Sequence, residues 1–147
     1  MSADKAAASA AGIDVVEMTV EQAQAGFASG AFTSESLTKA FLDRIAIYNP
    51  SYNAIVFMNP EALAMAKAAD KRRAENKSLG PLDGVPVVVK DAMDMVGFPT
   101  TGGWRLLNSK TGGVDLLPST DAPVVARMRE AGAVILGKTN IPVLSAT

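Results

Sequence analysis

Apolar positions along this chain fall first into helical and then into strand spacing. Thr19 followed by Gln22 has the spacing of a capping box, which predicts a short helix over Val20 to Ser29 stopped by Gly30. A second helix is expected at once. Thr33 or Ser34 can cap it, and Leu37, Phe41 and Ile45 recur every fourth residue with Ala40, Arg44 and Tyr48 beside them, until Asn49-Pro50 ends it. Asn53 to Met58 is a short apolar run suited to a strand, and Asn59-Pro60 then reads as a cap and first helical position. The helix that follows is expected to reach about Asn76. Ala62, Met65, Ala66 and Ala69 form its inner face, and Lys67, Asp70, Lys71, Arg72, Arg73, Glu75 and Lys77 face out or crowd its end.

Gly80-Pro81 and Asp83-Gly84 punctuate the chain before Val85 to Val89. That continuous valine run without alternation reads as a strand covered on both faces. Ala92 to Pro118 is rich in Gly, Thr and Pro and is expected to be irregular, the kind of long loop that often carries function. Thr120-Asp121-Ala122-Pro123 opens a further helix through Val124, Val125, Met128 and Ala131, with Gly132 placed to end it in a left-handed conformation. Ala133 to Leu136 is the last expected strand. Strand, helix, strand in that order points to an α/β class with at least one parallel pairing made by a right-handed crossover.

Composition narrows the chemistry more than the fold. The chain has 147 residues, 48% of them hydrophobic, with no histidine and no cysteine. A Ser-His-Asp triad, a Cys-His pair and a His- or Cys-ligated zinc are therefore excluded, leaving Ser, Thr, Lys, Tyr, Asp and Glu. Without cysteine there is no disulfide framework, which suits a reducing compartment, and a cytoplasmic location is the expectation. Fourteen Lys and Arg against fifteen Asp and Glu leave no net field toward nucleic acid or an anionic membrane. No apolar run reaches transmembrane length, and residues 1–15, interrupted early by Asp4 and Lys5, are expected to form a mobile amino-terminal tail ahead of a single domain over 16–147.

Four features invite chemistry. Lys90 ends the valine run, and in a chain without histidine it is the leading candidate for acid/base work near neutral pH. A lysine ending a strand ordinarily reaches for solvent or pairs with an acid. To act as a base it has to be buried, since desolvation disfavours an ammonium; a fall of about three pH units, or ~4 kcal/mol, lies within the range of buried lysines. Gly132 to Thr139, GAVILGKT, satisfies the phosphate-loop pattern G-x-x-x-x-G-K-[ST], but Ala-Val-Ile-Leu favours a buried strand over a curled loop, so the match is read as coincidence. Asp91 and Asp94 lack further clustered acids and are read as turn residues, not as a metal site. The basic cluster at Lys71 to Lys77 has no interleaved aromatics and is read as a solvated face.

GPLDGVPVVVKDAMDMVGFPTTGG, then TDAPVVARMREAGAVILGKTNIP, and before them the order of helix, helix, IYNPSYNAIV and Ala-rich helix, together resemble the amino-terminal part of the amidase signature family, from about Val16 onward. The resemblance implies an α/β fold built on a large mixed sheet wrapped by helices, of which this chain would supply the amino-terminal portion, incomplete at its carboxyl end. It implies a serine hydrolase of linear carbon-nitrogen amide bonds with a Ser, cis-peptide Ser and Lys triad and no metal or organic cofactor. Within that pattern Lys90 maps onto the lysine base that deprotonates the bridging serine, which activates the nucleophile. Gly84, Pro86 and Asp91 match its surroundings as supporting residues, and GKTN at Gly137 to Asn140 is also a family feature.

The family's Gly/Ser-rich segment with its two serines has no counterpart in these residues. Ser145 is the one serine after Ser119, and no Gly-Gly-Ser-Ser surrounds it. The resemblance thus implies a base without its nucleophile: a truncated product, one chain of a split enzyme, or the start of a longer protein. The expected partners are a small-molecule amide and either the remainder of the amidase or a second polypeptide. A noncatalytic piece that completes a partner chain is the alternative, and exposed strand edges at Val87 to Val89 and Val134 to Leu136 leave room for a homo-oligomer. Thr100-Thr101-Gly102-Gly103-Trp104 departs from the family's usual small residues ending in Gly-Ser, and Trp104 is expected to cover core more than to line a pocket.

Overall fold

A computed structural model of the protein describes residues 12–145. Helix α1 spans Val20–Ser29 with Thr19 and Gln22 forming the expected capping box, and Gly30 ends it at φ 71°. Helix α2, Ser34–Tyr52, opens on a second capping box between Thr33 and Ser36. It runs through Pro50 and ends at Asn53, which is left-handed. The expected stop at Asn49-Pro50 is therefore corrected. Proline in the last turn forfeits one hydrogen bond, and the Asn49 side chain ties that turn to the next strand by accepting from Ile55 N at 2.8 Å and donating to Ile55 O at 3.0 Å.

Strand β1 is Ile55–Met58 and helix α3 is Ala62–Ala74. Asn59 caps the turn ahead of α3, its Oδ1 accepting from Glu61 N at 3.0 Å, while its amide group donates to Ile135 O at 2.7 Å. Ala62, Ala66 and Ala69 are buried, as the spacing predicts. Strand β2 is Pro86–Lys90, helix α4 is Pro123–Glu130 with proline at its first turn, and strand β3 is Val134–Thr139. Between β2 and α4 the chain is irregular apart from two short 3-10 turns at Arg105–Leu107 and Ser109–Thr111.

The three strands form one mixed sheet in the order β1-β3-β2. β3 lies in the middle, antiparallel to β1 and parallel to β2, and α4 makes the crossover from β2 to β3. Val134 and Leu136 pack with Ala62 and Ala66 under α2 and α3, whereas Ile135 and Val89 pack with Met95 and Val125 under α4. Of the expected tail, residues 1–11 lie outside the described residues; Val15 is buried and Ile13 packs beside it against α1 and α2, so packing reaches past the expected boundary.

Three further expectations need correction. Val134 to Leu136 is not an exposed strand edge, because β3 is paired on both sides and these residues are buried. Val85 to Val89 is not covered on both faces: Val88 is 43% exposed and opens onto a groove between α2 and the sheet. The basic end of α3 is a solvated face only in part: Lys71 and Lys77 are exposed, but the two arginines are engaged. Arg72 pairs with the fully buried Asp83, and Arg73 donates to Asp83 O at 2.9 Å, bonds Asp70 at 3.0 Å and stacks over Phe27 at 4.2 Å. Asp70 in turn accepts from Ser34 N and Glu35 N at the start of α2. These contacts bind α1, α2, α3 and the Gly80 to Gly84 turn into one unit, and that turn delivers the chain into β2.

Candidate functional site

The carboxyl ends of β2 and β3 lie side by side, and the sequence candidates gather there. Gly84 enters β2 at φ +82°, where an added Cβ would come within 2.9 Å of Ser34 Oγ and 3.0 Å of Arg73 Nη2. Its carbonyl accepts from Ser34 Oγ at 2.6 Å and its N–H donates to Gly132 O at 2.9 Å. Only glycine meets both demands of conformation and space. Pro86 opens the strand opposite Val134. Proline at the first residue of a strand withholds an N–H where the ladder does not yet need one.

Lys90 is the last residue of β2, paired in register with Thr139. Its side chain is exposed. Strand alternation puts it on the face of Val88 and opposite Val89, so it projects from the open face of the edge strand. Its backbone is held closely: Lys90 O accepts from Met93 N at 2.9 Å, and Asp91 N donates to Thr139 O at 3.1 Å.

Asp91 turns the other way and is completely buried. Its carboxylate accepts from Thr101 Oγ1 at 2.6 Å and from the backbone N–H groups of Thr101 and Gly103 at 3.2 Å each. Gly103 lies at φ +73° against the carbonyl of Ile141, so a side chain there would strike backbone. The Thr100 to Gly103 segment is thereby fastened to the sheet end beside Lys90.

One further group joins the site that sequence reasoning missed. Lys138 is fully buried, and its Nζ donates to Pro99 O at 2.7 Å and Thr100 Oγ1 at 3.0 Å, 3.5 Å from Asp91 Oδ1. Burial holds this amine below the ordinary 10.5, with Asp91 and Asp94 opposing the fall. Its signal in the sequence is that of Lys90, a lysine after an unbroken apolar run, masked by the overlapping phosphate-loop pattern. The register explains how it reaches Asp91. Val87 pairs with Ile135 but Val89 pairs with Lys138, so a bulge at Leu136-Gly137 turns Lys138 onto the Val89 face. Strand pairing through Gly137, Lys138 and Thr139 also commits the backbone of GAVILGKT to the sheet, leaving no curled phosphate loop.

Trp104 is 43% exposed, which corrects the expectation that it covers core. A groove of about 540 Å³ lies between α2 and the sheet, lined in part by Phe41, Ile45, Tyr48, Tyr52 and Val88. Lys90 is not among its lining residues. Asp94 is exposed while Asp91 is consumed by hydrogen bonds, and among the described residues no group of three or more Asp or Glu side chains is arranged to hold a metal ion. Among the same residues no helix is long and apolar enough to cross a membrane.

Comparison with known proteins places this geometry. The sequence profile of the family described as Amidase matches residues 36–146. A glutamyl-tRNA(Gln) amidotransferase subunit from Chloroflexus aurantiacus is 44% identical over 124 residues, covering 84% of this chain and 24% of that protein. Indoleacetamide hydrolase of Bradyrhizobium diazoefficiens is 39% identical, covering 82% of this chain and 22% of that protein. The crystal structure of native peptide amidase from Stenotrophomonas maltophilia superposes with a TM-score of 0.74 at 35% identity, covering 85% of this chain and 25% of that one. The chain thus spans about a quarter of the length of the proteins it matches.

Proposed function

This chain belongs to the amidase signature family, and from that premise we propose that it is the base-bearing part of an amidohydrolase that cleaves linear carbon-nitrogen amides by a Ser, cis-Ser, Lys mechanism. Lys90 is the base. Both serines come from sequence outside these 147 residues, either the remainder of one chain or a second polypeptide; the Chloroflexus relative is by its name one subunit of an enzyme. Gly84, Pro86 and Asp91 support the lysine by delivering and anchoring the strand that carries it.

One observation carries the reading. In a chain without histidine or cysteine, Lys90 projects from the open face of an edge strand while the next residue is anchored in the core. Covering that face would bring a hydroxyl to the amine and remove it from water together, the two conditions a lysine needs to take a proton from serine. That bridging serine takes a proton in turn from the nucleophilic serine, whose oxygen attacks the amide carbonyl; the departing nitrogen receives the proton back through the same relay, and water hydrolyses the acyl-enzyme. No step requires a metal or organic cofactor, and a reducing cytoplasmic setting suits a chain without cysteine. The decisive experiment is amide hydrolysis by the assembled enzyme with Lys90→Ala or Lys90→Met. Loss of at least roughly a thousandfold in kcat is expected, and near-normal turnover would eliminate the assignment.

A second reading has an observation of its own. Val88 at 43% exposure and the groove beside α2 leave apolar surface that a partner chain could cover, so the piece could serve by completing a partner without contributing chemistry. Lys90→Ala separates the two, since a noncatalytic piece tolerates it in full.

A further inference from the structure

Lys138 has no part in the reaction just described, yet it is the largest of the fully buried side chains. An ammonium taken out of water is retained at low cost only when it is paired and hydrogen-bonded, and an apolar side chain of similar volume would fill the same space without that demand. Apolar contacts abound nearby: Val89, Met95, Val125 and Ile135 form the cluster on the same face of the sheet. A charge kept in such a place calls for a reason other than packing.

Its contacts supply one. The ammonium holds one flank of the 99–103 segment directly, through Pro99 O and Thr100 Oγ1. It holds the other through Asp91, whose carboxylate carries Thr101 and Gly103. Asp91 is covalently next to Lys90, and the Asp91 N–H to Thr139 O bond closes the circuit back to β3, one residue beyond Lys138. Strand end, loop and central strand thus meet at one buried ion pair.

We propose that Lys138 is a positioning residue for Lys90, its buried ammonium acting through Asp91 to fix the end of β2 and the 99–103 loop so that Lys90 leaves the opposite face at a set place and angle. This rests on Lys90 being the base. Displacement of a catalytic group by about 1 Å can lower turnover on the order of a hundredfold, so a clamp distant from the reacting atoms still controls rate.

The test uses the assembled enzyme and a panel of benzamide, phenylacetamide and 4-nitroacetanilide, followed on whichever is turned over. Lys138→Met is expected to lower kcat at least tenfold with KM changed less than twofold. The double variant Asp91→Asn with Lys138→Met removes both charges, so its melting temperature should recover toward the parent's relative to either single variant, while kcat stays at least tenfold low. A merely structural ion pair would return activity together with melting temperature, and that result overturns the proposal. Should the charged-residue variants fail to fold, Thr101→Val is isosteric and removes the hydroxyl donor to Asp91. It is expected to reduce kcat severalfold at unchanged KM, and parent-level kcat there also overturns the proposal. Lys90→Ala keeps the two claims apart: normal turnover in that variant removes the base assignment itself, whereas its loss alongside an unaffected Lys138→Met removes only the positioning role.

Discussion

Two lysines close apolar runs in this chain and meet opposite fates. Lys90 ends an edge strand and is exposed, while Lys138 is the penultimate residue of the central strand and is sealed. For Lys90 this predicts a separation of function from stability: Lys90→Ala should change the unfolding free energy of the 147-residue chain by no more than about 0.5 kcal/mol, the range for surface positions, while removing amide hydrolysis by the assembled enzyme. Chemical denaturation beside the activity assay checks it. For Lys138 the prediction concerns pH. Its native value lies below 10.5, so between the two values the unfolded chain binds more protons than the folded one, and the stability contributed at this site rises with pH. Stability of the parent minus that of Lys138→Met, measured by urea unfolding as pH is raised toward 10.5, should therefore become more positive. A falling difference would contradict the burial of this amine.

Helices and strands form largely where local spacing puts them, and the departures have physical causes. α2 overruns Pro50 because one missing hydrogen bond in a last turn is outweighed by the Asn49 bridge to β1. The end of α3 reads as polar surface because the contacts of Arg72 and Arg73 with Asp83 depend on the approach of the Gly80 to Gly84 turn, which no local pattern encodes. Two predictions belong here. Asp70→Ala should destabilise by about 1 to 3 kcal/mol, since it strips acceptors from the first turn of α2 and leaves Arg73 without its carboxylate. Gly84→Ala should cost about 1 to 3 kcal/mol, because alanine is strained at φ +82° and its methyl would crowd Ser34 Oγ. Thermal or urea unfolding reads both, and a neutral Gly84→Ala would show that the turn has another conformation open to it.

As a whole, the molecule is a three-stranded mixed sheet with helices on both sides and one edge uncovered. Val88 and Tyr52 stand partly or mostly in solvent beside the α2 groove, an apolar surface that favours association. The 147-residue chain on its own should accordingly sediment as a concentration-dependent mixture and enhance the fluorescence of an apolar dye. A monomer with cooperative unfolding and no dye binding would show that this face needs no cover.

The α/β class, the elements that build the sheet, the family and the candidacy of Lys90 as a base all follow from the sequence, because each is written in local spacing or in a contiguous motif. The sealed Lys138, its bond to Asp91 and the open face of β2 were decided by tertiary structure. Their cause is a bulge in β3 and the position of β2 at the sheet edge, and both depend on which strands become neighbours. Segments distant along the chain set that pairing together, so no single stretch of residues contains it.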